Sequence, residues 1–157
     1  MTVSDIDAVE SEIRIAGTPE AVFAYLVDPD KMVRWMGVQA KSDPRPGGTY
    51  AVDINAQARA RGRYVDVVPH SRIVFTFGWE GDDGVPPGST TVEITLTPDR
   101  DGTHLRLVHR CLITAAMREQ HRDGWQLYLA RLSVAASGGE PGRDPNANAE
   151  ENMVDDD

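Results

Sequence analysis

The chain has 157 residues, 40% of them hydrophobic, a formal net charge of −9 and a single cysteine, Cys111. This is enough chain for one domain burying roughly two thirds of its unfolded surface; an intrachain disulfide is excluded, and no apolar run approaches the ~20 residues that span a bilayer, so no membrane insertion is expected. Segment 138–157 holds seven acids against Arg143 and so carries −6 of the −9, and neither this tail nor the near-neutral body attracts nucleic acid or an anionic membrane.

Residues 1–12 are acidic and lack the basic-then-apolar pattern of a secretory signal, so a cytoplasmic location is expected. Residues 4–15 read as a first strand, with Ile13 and Ile15 on one face. A helix starts at Gly17-Thr18-Pro19-Glu20: Thr18 suits the N-cap, Pro19 the first helical position, and an acid follows in the first turn. Ala21, Val22, Tyr25 and Leu26 form its apolar stripe. Asp28-Pro29-Asp30 breaks it and starts a second short helix reaching Trp35.

After the turn-forming run at 42–48, five strands are expected. Residues 49–55 alternate, with Tyr50, Val52 and Ile54 on one side. Residues 62–68 follow, ended by Pro69-His70. Residues 73–79 are the clearest strand, placing Ile73, Phe75, Phe77 and Trp79 on one face. Residues 90–97 turn Val92, Ile94 and Leu96 inward, and Asp99-Arg100-Asp101-Gly102 makes a hairpin. Residues 103–112 close the sheet, with Leu105, Leu107, His109 and Cys111 in register.

A long helix over 114–137 comes last. Met117, His121, Trp125, Tyr128, Leu129 and Leu132 fall on one face at helical spacing, and Gly124 sits in its middle. Helices segregated from consecutive strands mean α+β architecture. The expected domain is 4–137. Segment 138–157, rich in Gly, Pro, Asn and acids, reads as a disordered acidic tail.

Several blocks together resemble one family. They are Thr18-Pro19-Glu20-Ala21-Val22-Phe23 followed by Trp35, then Pro46-Gly47-Gly48-Thr49-Tyr50, then residues 62–69, 72–80 and 103–109, and finally Gly124-Trp125. Their order and spacing are similar to the activator of heat shock protein 90 ATPase family, within the START-like, helix-grip (SRPBCC) superfamily. The resemblance implies a bent antiparallel sheet wrapped around a long C-terminal helix, with a mostly apolar cavity between them. The superfamily includes lipid carriers, hormone and allergen proteins, aromatic cyclases and oxygenase domains, so fold alone does not fix function.

The cavity expected from these faces would be lined by Trp35, Phe77, Trp79, Leu107, His109, Met117, His121 and Trp125, and its partner would be a small hydrophobic or aromatic molecule. Plain core packing is the competing reading of the aromatic face and of Trp35. His109 and His121 could hydrogen-bond a ligand, serve a cyclase, isomerase or hydrolase as acid or base, or be buried and satisfied by backbone. Cys111 reads as a small hydrophobe more than a nucleophile. Arg59, Arg61 and Arg63 would either line a polar mouth suited to a carboxylate or be turned to solvent by a bulge near Gly62. Gly124 either leaves room for a ligand or packs closely on the sheet, the latter being the expected explanation. The histidines are isolated and no ligand spacing recurs, so neither metal nor cofactor is expected. A third reading is an interaction module, either a chaperone regulator or a homodimer.

Overall fold

The computed structural model describes residues 7–148. Strands and helices follow as β1 (Val9–Ile15), α1 (Pro19–Val27), α2 (Pro29–Met32), β2 (Gln39–Ser42), β3 (Thr49–Asp53), β4 (Arg59–Val68), β5 (Arg72–Trp79), β6 (Thr90–Asp99), β7 (Gly102–Arg110) and α3 (Ala115–Ala136), with a 3-10 turn at Pro145–Asn148. The strands form one antiparallel sheet in the order β1-β7-β6-β5-β4-β3-β2. This is the bent-sheet, α+β helix-grip fold expected. Its inner face carries Ile73, Phe75, Phe77, Val92, Ile94, Leu96, Leu105 and Leu107, which join α1 and the buried stripe of α3 in one core.

Local chemistry sets the helix ends. Thr18 Oγ1 accepts from the Ala21 amide at 3.1 Å, and Thr114 Oγ1 accepts from the Met117 amide at 3.1 Å. Each satisfies an amide that the first helical turn leaves without a partner. Asp28 does the same for α2, which stops at Met32, short of Trp35.

Four differences from the sequence reading have physical reasons. β1 starts at Val9, and residues 4–6 lie outside the described residues. A further strand, β2, pairs with β3 at the sheet edge; its Gln39-Ala40-Lys41-Ser42 has no apolar alternation to announce it. β7 ends at Arg110, because Cys111 adopts φ 72° and breaks the register. Cys111 is therefore exposed, while Leu112 turns inward and its amide donates to Asp7 O at 2.9 Å.

The fourth concerns the tail. Its composition predicts disorder from residue 138 onward, but 138–148 fold back on the body as a strap. Arg131, nearly buried on α3, donates to the carbonyls of Trp35 (2.9 Å), Pro141 (3.2 Å), Gly142 (2.8 Å) and Arg143 (3.3 Å). Asp144 is 3% exposed and accepts from the Gly37 amide at 2.8 Å and the Tyr128 hydroxyl at 3.1 Å. Residues 149–157 lie outside the described residues.

In β4 a bulge falls between Tyr64 and Asp66. Before it, Ala60 and Tyr64 point inward and are buried; after it the inward parity passes to Val67, which packs on the core. Arg59, Arg61 and Arg63 are thereby on the outward side. Gly62 lies just before the bulge, where a Cβ would sit 1.7 Å from Thr76 O, so β4 and β5 approach too closely there for any side chain.

Candidate functional site

The apolar stripe of α3 does two jobs. Leu129, Leu132 and Ala135 are closed against the core. Between Gln120 and Tyr128 the same helix borders a pocket of about 920 Å³, within the usual size range of small-molecule sites. Gln120, His121, Asp123, Gly124, Trp125, Leu127 and Tyr128 form its helical wall. Ile54, Asn55, Gln57 and Ala58 supply the β3–β4 turn, and Phe77, Trp79, Glu80, Gly81, Asp82 and Asp83 supply the end of β5 and the loop after it. Met36 and Asn146 complete it.

Beneath the pocket lies a cluster of rings centred on Phe77. Its centroid is 5.3 Å from Trp79, 5.1 Å from His109, 6.4 Å from His121 and 6.0 Å from Trp125. Most of these contacts are edge-to-face or tilted, the geometries that ring quadrupoles favour. Two indole–imidazole hydrogen bonds tie the cluster together. Trp79 Nε1 donates to His121 Nε2 at 3.1 Å, and Trp125 Nε1 donates to His109 Nδ1 at 3.0 Å.

These bonds assign the tautomers. An indole N–H can only donate and a backbone carbonyl can only accept. His121 therefore accepts at Nε2 and donates from Nδ1 to Met117 O at 2.7 Å. His109 accepts at Nδ1 and donates from Nε2 to Thr90 Oγ1 at 2.8 Å, and that hydroxyl donates to Phe77 O at 2.6 Å. Burial first, and then the neighbouring His121, pull the His109 pKa down from 6.5 to about 3. Every imidazole nitrogen of the pair is engaged, which leaves no free one for the acid–base role considered for them.

Of the eight residues expected at a cavity, the pocket brings together Phe77, Trp79, His121 and Trp125. The other four are elsewhere. Trp35 is 4% exposed in the core, where its Nε1 donates to Tyr25 O at 2.8 Å. Leu107 is fully buried on the inner face of β7, and His109 is buried behind Trp125. Met117 lies half-buried one turn before His121 and faces Gly84 rather than the pocket. Met36, Tyr128, the amides Asn55, Gln57, Gln120 and Asn146, and the acidic loop were not legible as pocket residues. Tyr128 alone had a signal, its place on the α3 stripe.

Gly124 corrects a further expectation. It does not pack on the sheet: a Cβ built there meets nothing within 4 Å, so this face of α3 opens onto the pocket. The arginines do not form a mouth for a carboxylate. Arg61 pairs with Asp53 at 2.8 Å and Glu80 at 3.2 Å, Arg59 with Glu80 at 3.6 Å, and Arg63 donates to Gly47 O. Among the described residues, no three His, Cys, Asp or Glu side chains are grouped to hold a metal, and no helix is long and apolar enough to cross a membrane.

The strap finishes one end of the pocket. Asn146 Nδ2 donates to Tyr128 Oη at 3.0 Å, and Asn55 Nδ2 donates to Asn146 O at 2.9 Å. Asp144 anchors it, so Asp144→Ala leaves the Gly37 amide and Tyr128 hydroxyl without their buried acceptor. We expect a loss of about 1–3 kcal/mol in urea unfolding, with faster proteolysis within 138–148; unchanged stability and cleavage would show that the strap is held by other contacts.

Comparison with known proteins finds the family model described as Activator of Hsp90 ATPase homolog 1-like protein matching residues 16–137. No curated protein matches the chain. Among solved structures, the AHSA1-like protein of Rhizobium etli is 45% identical, with 88% of this chain and 86% of that chain covered and a TM-score of 0.71. A protein of Chromobacterium violaceum is 26% identical over 84% of this chain and 98% of its own, with a TM-score of 0.70. CalU16 of Micromonospora echinospora is 25% identical over 83% and 76%, with a TM-score of 0.68.

Proposed function

We propose, because this chain belongs to the family of Activator of Hsp90 ATPase homolog 1-like proteins, that it binds a small ring-bearing hydrophobic molecule in the pocket between α3 and the end of β5. Gly124 carries this reading. Glycine in a helix interior costs about 1 kcal/mol against alanine, and here it relieves no contact with protein. It keeps a wall of the pocket flat beside Trp125, above a floor of Phe77 and Trp79. Aromatic faces in a concave site, bordered by a few polar groups, suit an apolar ring.

The test pairs two substitutions with one neutral apolar probe, N-phenyl-1-naphthylamine. Gly124→Ala is expected to stabilise the protein by up to about 1 kcal/mol through helix propensity. Gly124→Phe should project a ring into the pocket beside Trp125, where a bound ring would lie, and still unfold cooperatively. Fluorescence titration should show the probe bound by the native protein and lost in Gly124→Phe. No binding by the native protein, or equal binding by the Phe variant, would overturn the reading.

A further inference from the structure

The charge around the pocket has one sign. Among the described residues, Glu80, Asp82, Asp83 and Asp123 line it, and neither a lysine nor an arginine does. Glu80 is already matched by Arg59 and Arg61. Asp82 Oδ1 accepts from the Gly84 and Val85 amides at 2.7 and 3.1 Å, which holds the loop without supplying a positive charge. Asp83 comes from that loop and Asp123 from the facing α3, and both are exposed.

The floor points the same way. The two indole N–H groups that could have bound an anion are turned to His121 and His109. What the pocket offers a ligand from below is therefore a ring-lined floor, with Trp79 half-buried over the buried Phe77 and Trp125, and carboxylates at the rim. Ring faces attract cations, and carboxylates beside a concave, poorly polarisable surface concentrate a negative potential within it.

We infer that the ligand is an organic cation, a ring system carrying a positive charge, with its rings on the Phe77–Trp79–Trp125 floor and its charge toward Asp83 and Asp123. This rests on the pocket reading above and adds the ligand's charge. It is the opposite of a carboxylate ligand, which Arg59, Arg61 and Arg63 would have suited had they faced the pocket.

Three probes of one ring system test it with the full chain: 9-aminoacridine, a cation at neutral pH; acridine, neutral; and acridine-9-carboxylate, an anion. Fluorescence titration should show 9-aminoacridine binding roughly tenfold tighter than acridine, the carboxylate weakest, and the gap narrowing with added salt. The double variant Asp83→Asn with Asp123→Asn should bind 9-aminoacridine no better than acridine and leave acridine unchanged. Equal affinity for the three probes, or the same cation preference in the double variant, would overturn the charge inference and leave the pocket standing. Failure of all three to bind, or binding that persists in Gly124→Phe, would overturn the pocket and the charge inference together.

Discussion

Replacing Phe77 with alanine is expected to cost about 3–5 kcal/mol, a large share of the 5–15 kcal/mol that holds a typical domain folded. Phe77 is 1% exposed and touches rings from three directions: Trp79 on its own strand, His109 on β7, and His121 and Trp125 on α3. Truncation removes the apolar burial and opens a cavity under Trp125. That cavity cannot collapse readily, because His109 and His121 are pinned by hydrogen bonds on both nitrogens. Phe77→Leu keeps most of the volume and loses the ring contacts, so it should cost much less. Urea unfolding of both variants checks this. A Phe77→Ala cost below about 1 kcal/mol, far under the usual range for a buried phenylalanine, would mean that the rings are not packed as described.

The second large effect is a loss of stability in mild acid, carried by His109. Its folded pKa, about 3, lies below the unfolded value of 6.5. The unfolded chain therefore takes up a proton first. The stabilising difference is fully present above pH 6.5 and is lost as pH falls toward 3. The slope approaches about 1.4 kcal/mol per pH unit, on the order of 4–5 kcal/mol across the window. The cause is burial among Phe77, Trp125 and Thr90, reinforced by His121 at a ring distance of 5.1 Å. Glu93, whose carboxyl is held below its ordinary value by Arg110 and Arg72 despite partial burial, loses stability in the same direction at lower pH. Unfolding at pH 7 and near pH 4.5 separates the two groups. His109→Gln should be less stable at pH 7 and show a flatter dependence between 6.5 and 4.5. A variant as steep as the native protein there would remove His109 as the cause.

The α3 stripe shows how far the sequence reading reached. Helical spacing correctly put His121, Trp125, Tyr128, Leu129 and Leu132 on one buried face. It could not say that Leu129 and Leu132 meet core whereas His121 and Trp125 border a pocket. That depends on how the end of β5 and the β3–β4 turn stand off from the helix. The glycine was visible as an anomaly, but its reason was not, because empty space beside a residue leaves no mark on its neighbours in sequence. His109 and His121 were legible as inward-facing, while the tryptophan bound to each was not: the partners are 16 and 42 residues away. β2 was missed because an edge strand can be held by backbone pairing alone.

The chain's own order of residues determined the succession of elements apart from β2, the inward faces of β1, β3, β5, β6 and β7 as far as His109, and the cap of α1. These rest on side-chain alternation, helical period and hydrogen bonds spanning three residues, all of which are local. Only the tertiary structure decided the pocket, the tautomers and the strap. A polar, acidic segment reads as disordered when its composition is averaged, yet one buried carboxylate at Asp144 and one nearly buried guanidinium at Arg131 anchor 138–148 to the body. Such long-range bonds form between groups that no local pattern relates, and they exist only once the sheet has brought Gly37, Tyr128 and the strap together.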